Sequence, residues 1–131
     1  MLKVGSYAYC IDNTGVIFVK IFQALGNSYK KQVELGDVVW VVVKTVNNSA
    51  HFLKDDKTKW KFRGGSVHRA VVVHVVEKYR RRNMTYIWFP RNAVVLVNKN
   101  YIPYAKRVKM GVPKEVADRH PSIGSLCPRI Y

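Results

Sequence analysis

Acid is what this sequence has least of: 8 Asp and Glu stand against 23 Lys and Arg in 131 residues, a formal net charge of +15. No two of these carboxylates have a setting that suggests paired acid and base roles, and none cluster as a metal-dependent nuclease would need. Thiols are rarer still. Cys10 and Cys127 are far apart, form no CxxC pair and build no disulfide framework, so a reducing compartment is the simpler reading. The histidines, His51, His68, His74 and His120, combine with cysteines or carboxylates at no familiar ligand spacing, and neither a metal nor a cofactor is expected. Long apolar runs are missing too. Each valine run is broken by a charge or turn residue well short of the ~20 residues a membrane-spanning helix needs. Residues Met1 to Ser6 have neither an apolar signal core nor the Arg- and Ser-rich character of a transit peptide, so the expectation is a mature form or synthesis in the compartment of use. Internal repeats and low-complexity tracts are absent.

What is present is a core. The hydrophobic fraction is 48%, concentrated in runs such as Asp37 to Val43, Ala70 to Val73 and Ala93 to Val97, which have strand length and β-branched composition. Disordered basic tails bury nothing and lack such runs. A folded core under this much positive charge is self-repelling and is best tolerated against a polyanion, which makes nucleic acid the leading partner. The length predicts a single domain over residues 1–131, and the valine rhythm that marks 1–100 gives way to a helical or extended segment in 101–131.

Along the chain, Tyr7 to Ile11 reads as a strand closed by the turn Asp12-Asn13-Thr14-Gly15, and Val16 to Leu25 as its hairpin partner. After the basic segment at Tyr29, Lys30 and Lys31, Leu35-Gly36-Asp37 starts a third strand running to about Val46. Asn47 to Ser66 is polar and ends in Gly64-Gly65; it is expected to be an extended loop, with a protruding hairpin through Thr58 to Phe62. His68 to Val76 and Asn92 to Val97 are further strands, and Arg80-Arg81-Arg82-Asn83 is the tip of a loop or ribbon before Tyr86 to Phe89. Pro113 opens a short helix through Arg119 that stops before Pro121. Short strands at close spacing, with no strand-helix-strand alternation, point to a mainly β fold, a closed or nearly closed barrel.

Catalytic motifs are wanting. Ser66 precedes His68, but strand neighbours point to opposite faces or lie too far along, and no acidic orienter is evident. Gly64-Gly65 lacks the lysine and helix start of a phosphate loop. The basic residues instead gather at turns: Lys30 and Lys31, Lys54 to Arg63, Lys78 to Arg82, and Lys106, Arg107 and Lys109. Tyr29, Trp60, Phe62, Tyr79, Tyr86 and Trp88 lie among them as candidates for base stacking, with core packing the better expectation for Phe62 and Phe89.

These motifs assemble in order. Asp12-Asn13-Thr14-Gly15, Leu25-Gly26 with Ser28, Lys30-Lys31, and Gly36-Asp37 opening a strand that closes with Lys44 resemble the first half of the universal large-subunit ribosomal protein fourteen family. Ala70 to Val73, Arg80-Arg81, Phe89, Asn92-Ala93, Val95 to Asn98, Arg107, Glu115 and Ser125-Leu126-Cys127-Pro128 continue the likeness in register across nearly the whole chain. The resemblance implies a five-stranded β-barrel with a projecting β-ribbon and a short helical carboxyl-terminal region. It also implies a structural, non-enzymatic constituent of the large subunit that binds its ribosomal RNA and helps bridge to small-subunit RNA. Neighbours would be ribosomal proteins three and nineteen, and in bacteria and mitochondria a ribosome-silencing factor; no membrane partner is implied.

RNA contacts are expected of Asn13, Lys30, Lys31, Lys44, Arg80, Arg81, Arg82 and Arg107. At 17, 18 and 23 the family tends to carry basic residues where this chain has Ile17, Phe18 and Gln23, and at 40 and 42 Trp40 and Val42 replace a common lysine and threonine. If odd residues of that strand face the core, Trp40 and Val42 point outward. Ile17, Phe18, Trp40 and Val42 are therefore expected at an interface with another protein. Lys114 and Arg119 are expected on the bridge and silencing-factor surface of the terminal segment. The family's Phe-Asp-x-Asn is Phe89-Pro90-Arg91-Asn92 here, and its Phe-Gly-Pro segment is Lys109-Met110-Gly111. Lost basic contacts, an apolar exterior and a long 47–66 loop resemble a divergent mitochondrial member, located in the matrix and encoded in the organelle, with a bacterial cytoplasm or plastid as the alternative. The rival function is a free-standing barrel that binds single-stranded nucleic acid.

Overall fold

The computed structural model describes residues 2–26, 29, 31–47 and 62–131. Valine-rich segments favour extended backbone because branched side chains are stiff and pack well on a pleat. In chain order the strands are β1 (Leu2–Lys3), β2 (Tyr7–Cys10), β3 (Val16–Ala24), β4 (Gln32–Val33), β5 (Val38–Val46), β6 (Val67–His74), β7 (Tyr79–Arg80), β8 (Tyr86–Ile87) and β9 (Ala93–Val97), followed by helices α1 (Lys114–Arg119) and α2 (Pro121–Gly124). β2, β3, β5, β6 and β9 form a closed barrel, with only the β2–β9 pair parallel, Tyr9 lying opposite Ala93 and Cys10 opposite Val94. Closure removes the edges that such strands would otherwise offer for aggregation. The expected mainly β, five-stranded barrel is present.

β7 and β8 form the projecting ribbon, and β1 pairs with β4 in a second two-stranded piece. The β1–β4 pair and α2 were not expected from the sequence, because elements of 2 or 4 residues are too short to carry a hydrophobic period. Pro113 is the N-cap of α1 with extended ψ of 151°, rather than a residue of its first turn. The hairpin expected at Thr58 to Phe62 falls, apart from Phe62, outside the described residues, as do Trp60 and Lys30.

In β5 the alternation is regular: Val39, Val41 and Val43 are fully buried while Val38, Trp40 and Val42 are half-buried on the outer face. β3 departs from it. Register shifts against β5 fall between Val16 and Phe18, Phe18 and Val19, and Ile21 and Gln23. Such bulges place two successive side chains off the core, which is why neither Ile17 nor Phe18 is buried, and why Phe22 and Gln23 are both exposed.

β9 is buried at every position, and β6 from Ala70 onward. Their outer face is therefore covered, and the cover is the carboxyl-terminal segment. Tyr104 N–H donates to the Leu96 carbonyl at 3.3 Å, Val97 bridges Pro103, and Lys109 N–H donates to Ile11 at 2.8 Å. Val108, Val112, Val116 and Ile123 join the barrel valines in one hydrophobic cluster. Residues past 100 thus finish the core. Full burial of a Val or Ile is worth roughly 1.5 to 3 kcal/mol, so the segment is a large stabilising element.

At the centre of these connections is Asp12, with 0% relative exposure. Its Oδ1 accepts hydrogen bonds from Thr14 Oγ1 at 2.6 Å, Thr14 N–H at 3.2 Å and Cys10 Sγ at 3.0 Å, and its Oδ2 from Leu96 N–H at 2.9 Å. The first three shape the turn after β2. The last reaches β9. Desolvating a carboxylate costs several kcal/mol unless its lone pairs are met, and here both oxygens are. Asp12→Ala leaves several buried donors unsatisfied at about 1 to 3 kcal/mol each. We expect this substitution to lower unfolding free energy by at least about 3 kcal/mol in urea titration of the full chain, against about 0.5 kcal/mol for half-exposed Asn13→Ala; equal losses would remove Asp12 from this role.

Candidate nucleic-acid interface

The strands place the cations at their ends, where charged side chains keep their water. Lys31 precedes β4, Lys44 stands near the end of β5, Arg80 closes β7, Arg82 is in the ribbon tip, and Arg107 follows the crossing at Tyr104; all are exposed. Asn13, in the turn built on Asp12, is half-buried. The ribbon tip is a tight reversal in which Arg81 N–H donates to Thr85 O at 2.8 Å, with Met84 at a φ of 64°. Arg82, Asn83 and Met84 project there.

Arg81 differs from its neighbours. Its Nε and Nη2 reach Glu115 Oε1 and Oε2 at 2.7 and 3.1 Å, and Nη2 also reaches the Tyr131 carbonyl at 2.5 Å. A bidentate pair of this kind is geometrically specific, and it ties the ribbon to α1. Arg119 is likewise engaged, donating to the Leu35 carbonyl at 3.3 Å and lying 3.4 Å from Asp37 Oδ1. It also crowds Gly36, where an added Cβ would meet its Cδ and Nη1 at 3.1 Å and where φ is 82°. Its partner on α1, Lys114, is exposed and turned to solvent. The two residues expected to share one surface thus have different settings.

The outer barrel face is aromatic and cationic together. Tyr7 and Phe18 stack with centroids 5.2 Å apart, and Tyr9 meets Phe18 edge-on at 5.0 Å. Arg91 lies 4.7 Å from the Tyr9 centroid, Arg69 5.0 Å from the Trp40 ring and Lys20 5.8 Å from Tyr7. Cross-strand register accounts for this grouping, with Tyr9 opposite Phe18, Lys20 opposite Val42 and Trp40 opposite Arg69. Of the residues expected at a protein interface, Ile17 is exposed and Phe18, Trp40 and Val42 are half-buried off the core, with a cation beside Trp40. Sequence reasoning missed Tyr7, Tyr9 and Arg69; the outward parity of β2 and β6 was the available signal.

Ser66 and His68 require a correction. They are not turned apart: His68 Nε2 lies 3.0 Å from Ser66 Oγ, because Ser66 precedes β6 and residues two apart share a face. The Ser66 hydroxyl proton goes to the Arg63 carbonyl at 2.6 Å, so the imidazole donates to Ser66 rather than accepting from it. That is opposite to nucleophile activation. His68 packs between Phe62, which is buried as expected, and Tyr104. Among the described residues no three His, Cys, Asp or Glu side chains converge as a metal site. Both thiols are free, and burial raises each, most strongly Cys10, which also faces Asp12. Among the described residues no helix is long and apolar enough to cross a membrane.

His74 is the remaining buried base. Its ring stacks on Phe89 at 4.0 Å and 5° between planes, and its Nε2 meets the Gly111 carbonyl at 2.7 Å. Phe89 is buried, as expected. Burial pushes the His74 pKa down, and the Gly111 bond opposes this only in part.

The family model described as ribosomal protein L14p/L23e matches residues 1–131.

Since the folded state resists protonating His74 more than the unfolded chain does, stability is fully present above the unfolded value of 6.5 and falls as pH drops through it toward the lowered native pKa. The slope for one proton is at most about 1.4 kcal/mol per pH unit. Urea unfolding from pH 7.5 to 5.5 should show this loss and a flatter profile for His74→Gln; identical slopes would show that other groups carry it.

Proposed function

Because the chain belongs to the ribosomal protein L14p/L23e family and is thereby a structural constituent of the large ribosomal subunit, we propose that it acts by binding large-subunit ribosomal RNA and by contributing to a bridge with the small subunit. Proteins of this family are typically structural and not enzymatic. The observation that carries the RNA reading is where the charge goes. Of the described acids, Asp12 lies in the core and Asp37 and Glu115 pair with arginines, while Glu34, Glu77 and Asp118 are exposed; Lys31, Lys44, Arg80, Arg82 and Arg107 are exposed as well and leave the surface strongly cationic. Cations spread over strand ends and a ribbon tip suit phosphates along a folded RNA. Lys30 and half-buried Asn13 belong to this surface in our reading, and Arg81 acts there by fixing the ribbon.

Around it we place ribosomal proteins three and nineteen as neighbours, with small-subunit RNA and a silencing factor approaching the α1 face that carries Lys114 and Arg119. The outer face around Ile17, Phe18, Trp40 and Val42 is our candidate protein contact, since exposed Ile17 and half-buried Phe18, Trp40 and Val42 put apolar surface on the outside of the barrel. That apolar face is also what supports residence in mitochondrial ribosomes over a bacterial or plastid setting.

Sedimentation tests the whole reading: a tagged chain should travel with large subunits. Neutralising Lys31 and Arg80 together should lower the slope of log affinity against log salt by about 0.7 to 0.9 per lost phosphate contact; an unchanged slope would leave both merely solvated. A photocrosslinker at position 40 in assembled particles should capture protein. Capture of RNA alone would reassign that face.

A further inference from the structure

A groove of ≈ 700 Å³ opens between the base of the ribbon and the carboxyl-terminal segment. This is within the usual size of a small-ligand site. Its floor is closed, since His74 stacks on Phe89 and the Tyr131 ring lies so tightly on Gly111 that a Cβ there would fall 2.5 Å from Cε2. Its walls are not covered: Trp88, Met110 and Tyr131 are 55%, 48% and 49% exposed. Lys109 and Arg129 stand at its rim, both exposed, and Lys78 Nζ sits 5.0 Å from the Trp88 centroid. None of the lining residues is Asp or Glu.

Whatever fills this groove must offer a flat apolar surface to Trp88 and Met110 and negative charge to Lys109 and Arg129. An extended peptide is a poor match. It draws on backbone partners, and the lining residues Pro90 and Pro128 have no N–H to offer. A nucleotide needs none of these. Aromatic platforms flanked by cations are how unpaired bases are held, because every base has a π-face and every linkage a phosphate.

We propose that the groove binds an unpaired nucleotide of the large-subunit RNA, its base against Trp88 and Met110 and its phosphates at Lys109 and Arg129. This rests on the RNA-binding reading above and adds a base-stacking site to a surface otherwise described by phosphate contacts.

Two measurements test it. In titrations of the purified full chain with a short oligouridylate, Trp88→Ala should weaken binding about 5- to 150-fold, the range for loss of one base–aromatic stack. Replacing Lys109 and Arg129 by Gln should instead lower the salt slope by about 0.7 per lost contact. Trp88 is largely exposed, so its loss should spare the fold, and an unchanged urea midpoint checks this. In assembled large subunits a photoreactive phenylalanine at position 88 should attach to ribosomal RNA. A chain that travels with large subunits but whose position-88 probe captures a peptide or nothing overturns the groove assignment alone. Oligouridylate affinity unchanged in Trp88→Ala overturns it equally. A chain absent from large subunits overturns this inference together with the reading it rests on.

Discussion

One fully buried carboxylate holds together parts of this protein that are far apart in sequence. Asp12 lies where β2 ends, and its acceptor capacity is divided between the turn that follows and the Leu96 N–H of β9. β2 and β9 are the pair that closes the barrel, and they meet in parallel over few residues. The carboxylate reinforces a short seam. The same neighbourhood accepts the carboxyl-terminal segment, which bridges Asp12 at Val108 and donates from Lys109 to Ile11. A net charge of +15 pushes the chain apart, so a compact state depends on such internally satisfied connections.

From that seam the rest is positioned. Covering β6 and β9 with residues past 100 lets both strands be apolar on two faces, in the manner of sheets buried on both sides. The covering segment then ends in α1, and α1 is fixed twice. Glu115 grips Arg81 of the ribbon, while Arg119 and His120 reach Leu35, Asp37 and Gly36 before β5, His120 Nε2 lying 2.9 Å from the Gly36 carbonyl. The ribbon tip and the α1 surface are therefore set in one geometry, which lowers the ordering cost of any binding at either.

The division of charge follows the same logic. Three of the described carboxylates, Asp12, Asp37 and Glu115, are engaged in structure, and Lys31, Lys44, Arg80, Arg82 and Arg107 lie exposed near strand ends and turns. Tyr7, Tyr9 and Trp40 on the outer barrel face and Trp88 beside the groove each have a cation within about 6 Å, the range at which the ring quadrupole attracts it. The exterior is thus neither a bare basic coat nor a plain apolar patch. It offers stacking and charge in adjacent positions.

The sequence by itself determined where the long strands run. Valine runs bounded by Asp, Asn and Gly specify extended segments whatever the partner, and in β5 the period of two also told which residues face inward. It determined the sign of the surface charge and, through residues 12–15, 36–37 and 125–128, the family. Tertiary structure alone decided the rest. Bulges in β3 turned Ile17 and Phe18 both away from the core, which no strict alternation allows. Two-residue strands at β1 and β4 form only because each finds the other. Asp12 looked like an ordinary turn residue, for its bond to Leu96 spans 84 positions. Ser66 meets His68 because β6 starts at Val67, one residue earlier than its composition implied, and residues two apart share a face. The groove draws on His74, Trp88, Met110 and Tyr131, four separate stretches that only the folding of the terminal segment over the barrel brings together. Local composition fixes backbone preference within a strand's length, whereas contacts between distant segments depend on closure and covering, which local composition does not encode.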